Sequence, residues 1–302
     1  MARGPSVTMG RMREITLDLD TVRLRALTWG PPSGRLAVLL HGFPDTAHTW
    51  RFLGPALAET GWRVVAPFTR GYAPSGISTD GSGHVAALVD DAVAIHARMD
   101  GGTDAVLVGH DWGAITANAL AAHPDNPFVA VASLAVPPSA ALRRAAALRV
   151  LPRQLRNSWY ILFNQLPVLP ERYAERLVAR LWADWSPGYD AAGDLPAVRA
   201  AIADRDHRRA ALGYYRDLAQ PWRRPPARYR RWAGAEMRLP RTPVLYLHGA
   251  RDGCLDPPLA ELAARGLPPG CEVHLVPGAG HFLQLEQPDQ VNARILRFLQ
   301  AR

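Results

Sequence analysis

Positions 105–114 read Ala-Val-Leu-Val-Gly-His-Asp-Trp-Gly-Ala, an apolar run that ends in Gly109-His110-Asp111-Trp112-Gly113 and passes into a helix-patterned segment at 115–122. Glycines on both sides of Asp111 permit a sharp turn from strand to helix, which would lift the central side chain off the end of a sheet. That side chain is a carboxylate. Carboxylates are ionised near neutral pH and attack without a base to activate them. Attack on an ester or amide carbonyl would give a reactive anhydride, whereas attack on a saturated carbon gives a stable alkyl ester that a second step can hydrolyse. Asp111 thus selects carbon electrophiles whose leaving atom is oxygen or a halide.

The second step needs a water, a base and donors for an oxyanion. Val276-Pro277-Gly278-Ala279-Gly280-His281-Phe282 places His281 in a glycine-rich loop after the last strand-like run, and His248-Gly249-Ala250-Arg251-Asp252 supplies an acid after the run before it. Asp256 is the alternative acid, although Pro257 behind it suggests a helix cap. Upstream, His41-Gly42-Phe43-Pro44 forms a turn near the first buried run, so the backbone N–H groups of Phe43 and Trp112 are the candidate oxyanion donors. His41, His110, His248 and His274 lie on or beside strand-like runs and read as packing or backbone-bonding residues.

These groups need a sheet to hold them. Alternating apolar and polar positions at 14–19 and 21–29 predict an antiparallel hairpin, and short continuous apolar runs at 36–40, 62–66, 105–108, 129–136, 244–247 and 272–276 predict parallel strands buried on both faces. Helical spacing at 85–99, 115–122, 258–265 and 291–299 fills the gaps, giving an α/β class with a mostly parallel central sheet flanked by helices. The alternation fails between about 137 and 240, where Trp, Tyr, Pro and Arg are frequent and helical pieces such as 171–182 occur. The expected organisation is a core of 13–136 and 241–302, a helical cap insertion at 137–240, and a flexible N-terminal segment at 1–12.

With these motifs in place, the chain resembles the α/β-hydrolase fold family, in its epoxide hydrolase branch. The Gly-x-Asp-x-Gly turn has the form of that family's nucleophile elbow, and the order Asp111, Asp252, His281 is its order of nucleophile, acid and base. The likeness runs from the HGFP turn and the APFTRGYAPSG segment at 66–76 through GHDWG to the GAGH loop. Two segments of the insertion are similar to those that bear the family's cap tyrosines. They are 158–167, containing Trp159 and Tyr160, and Leu212-Gly213-Tyr214-Tyr215-Arg216. The resemblance implies that Tyr160 and Tyr215 hydrogen-bond the epoxide oxygen, with Tyr214 the alternative to Tyr215, because adjacent helical residues point about 100° apart. It further implies attack by Asp111, hydrolysis of the ester by water that His281 and Asp252 activate, a vicinal diol as product, and no cofactor or metal. Phe43, Trp112 and Trp159 are the candidate substrate-lining residues, and the substrate is a small, hydrophobic epoxide.

Two rivals stand beside this reading. A dehalogenase would use the same nucleophile. However, resembling haloalkane dehalogenases carry Asn where Phe43 stands, and fluoroacetate dehalogenases carry Arg where Trp112 stands, though the haloalkane enzymes share a Trp beside the nucleophile. A ligand-binding protein with a vestigial site is the other.

Composition bounds the rest. The 302 residues are 48% hydrophobic and 21% charged, which excludes disordered and collagen-like classes. Such a chain buries roughly 75% of its unfolded surface. Two cysteines, Cys254 and Cys271, are too few for a disulfide framework and not spaced as a metal knuckle. Neither a signal-like run nor a membrane-spanning stretch is expected, so a cytoplasmic location follows. The net charge is +8 with 35 basic residues, all of them arginine, a bias that points to composition and not to nucleic-acid binding. Yet 19 of those arginines, against nine acidic residues, fall within 139–240. There they either steer anionic substrates or lay their stems over an apolar lid. Oligomeric state, monomer or homodimer, is open.

Overall fold

The computed structural model describes residues 12–142, 150–220 and 222–302. Of the N-terminal segment expected to be flexible, only Met12 lies within the described residues. The alternating segments form the antiparallel pair β1 (Arg13–Asp18) and β2 (Arg23–Trp29), in the register Ile15 opposite Ala26. β3 (Arg35–Leu40), β4 (Trp62–Pro67), β5 (Val106–His110), β6 (Ala130–Leu134), β7 (Val244–Gly249) and β8 (Glu272–Val276) complete an eight-stranded sheet. Its order is β1-β2-β4-β3-β5-β6-β7-β8, antiparallel only at the β1–β2 and β2–β4 contacts.

The continuous apolar runs arise because both faces are covered. Side chains alternate across a strand, and here Leu36, Val38, Leu107 and Val131 pack on one face while Ala37, Leu39, Val106, Val108 and Ala132 pack on the other. β8 departs from the expectation of full burial. It is the edge strand, with one hydrogen-bonded neighbour, and Glu272 and Leu275 remain exposed.

Among the described residues, all the elements between β6 and β7 are helical, as the broken alternation predicted. The helix expected at 171–182 is interrupted at Tyr173: Leu169–Arg172 and Ala174–Trp185 are separate helices, and the second runs three residues further than expected. Its buried face, Leu177, Val178, Leu181, Trp182 and Trp185, belongs to the same apolar cluster as one face of the sheet. Trp182 Nε1–H donates to Pro44 O at 2.8 Å, which ties this helix to the HGFP turn. A second tie is polar. Buried Arg70 grips Asp91 with two hydrogen bonds of 2.7 Å, and Tyr229 from the insertion bonds Asp80 and Thr21 beside it. Several of the insertion's arginines are paired, Arg216 with Glu171, Arg208 with Glu175 and Arg180 with Asp184 among them. The insertion also exposes Leu155, Leu162, Val168 and Trp222, apolar surface of the kind that arginine stems solvate. Among the described residues no helix is long and apolar enough to cross a membrane.

Candidate active site

The turn at Asp111 is as sharp as its glycines allow. Asp111 links β5 to the helix Trp112–Ala122 with φ 53° and ψ −114°, a left-handed conformation that costs a non-glycine residue about 1–3 kcal/mol. Close backbone approach holds it there. A Cβ at Gly109 would stand 2.1 Å from Gly113 O, and a Cβ at Gly113 would stand 2.1 Å from Leu40 O. Gly42 serves the same end from the opposite side, since its Cβ would meet Asp111 Oδ1 at 2.3 Å and Trp112 N at 2.6 Å. The HGFP turn can therefore lie against the carboxylate, where Phe43 N–H donates to Asp111 Oδ1 at 2.7 Å. Trp112 N opens the helix, so its N–H has no intrahelical acceptor, and it lies, like that oxygen, against Gly42.

His281 sits between two carboxylates. Its Nδ1 lies 2.9 Å from Asp252 Oδ2, and its Nε2 lies 3.5 Å from Asp111 Oδ2. The carboxylate can only accept, so Nδ1 carries the proton toward Asp252. Asp252 is held in turn by Cys254 N–H at 2.7 Å and Leu255 N–H at 3.0 Å, both donating to Oδ1. All three side chains are buried. Burial works against a charged imidazole here, yet the negative charges of Asp252 and Asp111 outweigh it and raise His281 to about 10. The rival acid, Asp256, faces Arg153 Nε at 3.3 Å instead, and the N-cap of the helix Pro258–Gly266 is Pro257, which makes no side-chain cap bond.

The other buried histidines bond backbone. His41 bridges Gly42 O and Thr69 N–H, His110 Nε2 lies 3.0 Å from His281 O, and His248 Nε2 lies 3.2 Å from Leu255 O. Burial lowers His41 to about 4 and His110 to about 3, so both stay neutral. His274 stands on the edge strand beside Glu272.

The two helices of the insertion bring their tyrosines together. Tyr160, on Trp159–Phe163, and Tyr215, on Arg205–Ala219, meet edge to face at 5.3 Å between ring centroids. Tyr215 also packs edge-on against Phe43 at 5.1 Å and Trp112 at 5.3 Å. Burial pushes both phenols well above the ordinary tyrosine value, and the charge of Asp111 adds to the shift, so both keep their protons. Among the described residues the hydroxyl of Tyr215 has no hydrogen-bond partner. Tyr214 turns away from this cluster, its O–H donating to Arg70 O at 2.7 Å.

Trp159 does not join this cluster. It is 41% exposed and lines an outer cleft of about 680 Å³ with Arg153, Arg156, Arg180 and Arg251. Helical geometry is the reason: with Tyr160 turned inward, its neighbour faces solvent. Sequence reasoning missed two residues of the site. Trp185 packs edge-on against the His281 ring at 4.8 Å, and its carbonyl accepts the His281 backbone N–H at 3.0 Å, with no local motif to announce it. Cys254 had a faint signal, because a backbone N–H two residues after an Asp is the natural partner of that side chain. Among the described residues, no group of three or more His, Cys, Asp or Glu side chains is arranged to hold a metal ion.

The site can be set beside known proteins. A family model described as alpha/beta hydrolase fold matches residues 37–288. Epoxide hydrolase A of Mycobacterium tuberculosis is 31% identical, the alignment covering 96% of this chain and 98% of that protein. The crystal structure of Epoxide Hydrolase A from Mycobacterium thermoresistibile superposes with a TM-score of 0.71 at 26% identity, over 96% of this chain and 98% of that one. A haloalkane dehalogenase loop variant from Bradyrhizobium elkanii has a TM-score of 0.75 at 21% identity over 96% and 97%, a likeness of fold alone. The chain belongs to the α/β-hydrolase fold family and, within it, to the epoxide hydrolases.

Proposed function

We propose that the protein hydrolyses a small, hydrophobic epoxide to a vicinal diol through an ester on Asp111. The observation that carries this reading is the pair of buried, protonated phenols, Tyr160 and Tyr215, packed together beside the nucleophile. An oxirane opens to an alkoxide, which needs hydrogen-bond donors as it forms; a departing halide does not need a proton.

In the first step an Asp111 oxygen bonds to an oxirane carbon, the C–O bond breaks, and the phenols deliver a proton to the alkoxide. Ester formation neutralises Asp111, removing one of the two charges that keep His281 protonated. The proton His281 then releases restores the phenol that gave its own to the alkoxide, and the imidazole is left neutral. In the second step it takes a proton from water, whose oxygen attacks the Asp111 ester carbon. The oxyanion forms where Phe43 N–H already donates, joined by Trp112 N–H, and collapse frees the diol and restores both carboxylate and imidazolium.

The insertion 137–240 acts as a cap on the core formed by 13–136 and 241–302, supplying both phenols and the Trp185 carbonyl. The aromatic wall of Phe43, Trp112 and the tyrosines suits apolar substrates. A cytoplasmic location is in keeping with Cys254 and Cys271, both free thiols.

The dehalogenase reading keeps one supporting residue, Trp112 beside the nucleophile. A panel of epoxides and haloalkanes separates the two: diol formation from epoxides is expected, and halide release with no diol from any epoxide would overturn the proposal.

A further inference from the structure

The two phenols are not equivalent. Among the described residues Tyr215 Oη has no hydrogen-bond partner, whereas Tyr160 Oη lies 3.5 Å from Sγ of Cys254, within reach of a sulfur hydrogen bond. Cys254 is itself fixed on three sides. Its N–H donates to Asp252 Oδ1 at 2.7 Å, its carbonyl accepts from Gln154 Nε2 at 3.0 Å, and its side chain is buried. The residue before it is locked as well: Gly253 N–H donates to Trp185 O at 3.0 Å, and a Cβ there would stand 2.0 Å from Asp184 O.

A bond between a thiol and a phenol has two directions with opposite consequences. If the phenol donates to sulfur, its only proton is occupied and Tyr160 cannot serve the substrate oxygen. If the thiol donates, the phenol oxygen is satisfied and its proton is free to point at the substrate. We propose that Cys254 is a positioning residue: its S–H donates to Tyr160 Oη, aiming the Tyr160 proton at the oxirane oxygen. The inference rests on the epoxide hydrolase reading above. Burial first, and the charges of Asp252 and Asp111 next, raise the thiol well above its ordinary value, so it keeps the proton it must donate. One short segment, Asp252-Gly253-Cys254, thus orients the base of the second step and the donor of the first.

The test is single-turnover kinetics with an epoxide, following alkyl-enzyme formation and its hydrolysis separately in the full-length enzyme. Cys254→Ala should slow alkylation about tenfold, the effect of one modest hydrogen bond, and change ester hydrolysis by less than about twofold. Cys254→Ser supplies an O–H donor in place of S–H and should restore alkylation to within about twofold of wild type. In a Tyr160→Phe background Cys254→Ala should have no further effect on alkylation, because its only target is gone. Wild-type or faster alkylation in Cys254→Ala would overturn the proposal, as would equal loss in the Ala and Ser variants, or effects of Tyr160→Phe and Cys254→Ala that multiply. If wild type itself forms no alkyl-enzyme, it is the epoxide hydrolase reading that fails. A wild-type adduct with indifferent Cys254 variants sinks this inference alone.

Discussion

His281 Nε2 stands 3.5 Å from Asp111 Oδ2, so nucleophile and base share a charge before the reaction begins. The same contact that raises His281 in the resting enzyme disappears once Asp111 is esterified. On the proposed mechanism, the step that forms the ester thus frees the base for the hydrolysis that follows.

That charge has a stability signature. His281 is raised to about 10 in the folded protein against about 6.5 when unfolded, so its contribution is full below pH about 6.5 and is lost as pH rises through about 10. The Tm advantage of wild type over His281→Gln should shrink steadily between those limits in thermal melts. An advantage that stays constant or grows across that range would contradict the assignment.

In the alkyl-enzyme, Asp111 carries no charge and only Asp252 supports the imidazolium. The acid limb of ester hydrolysis, measured by stopped flow against pH, should therefore lie well below the resting value of about 10. A limb centred near 10 would show that esterification does not release the base.

Replacing either phenol should cost the first step. Tyr160→Phe and Tyr215→Phe should each lower the alkylation rate by about 10²–10³, the usual effect of removing one donor from a developing oxyanion. Tyr214→Phe, by contrast, loses only its bond to Arg70 O. It should keep kcat within about twofold and lower unfolding free energy by about 1 kcal/mol in urea titrations. A Tyr214 effect on alkylation equal to that of Tyr215 would reverse their assignment.

Gly42 faces the carboxylate with no room to spare, as a Cβ would sit 2.3 Å from Asp111 Oδ1. Gly42→Ala should push the Phe43 amide off that oxygen and reduce kcat by at least about 10². Normal turnover by a folded Gly42→Ala enzyme would mean that the Phe43 N–H is not needed.

Residues that act through local backbone rules were readable in advance. Asp111, His281 and Phe43 sit in glycine-bearing turns at the ends of buried strands, where sequence periodicity and turn chemistry both speak. Asp252 was legible for the same reason, and the structure turned Asp256 toward Arg153. What the sequence left open depends on packing between distant segments. Tyr214 and Tyr215 are neighbours on one helix, and only the position of Arg70 O shows which of them turns away. Trp159 carries the right chemistry for a pocket wall, but it faces outward because Tyr160 takes the inward side. Cys254 and Tyr160 are 94 residues apart, so no local pattern could pair them.

The covalent ester on Asp111 separates this mechanism from direct attack by water, and it can be trapped. His281→Gln should carry out the first step and stall before the second. Intact-protein mass spectrometry after incubation with an epoxide should then show the whole substrate mass added, with peptide mapping placing it on Asp111. Turnover in that variant with no adduct at any time, or an adduct on another residue, would contradict the account.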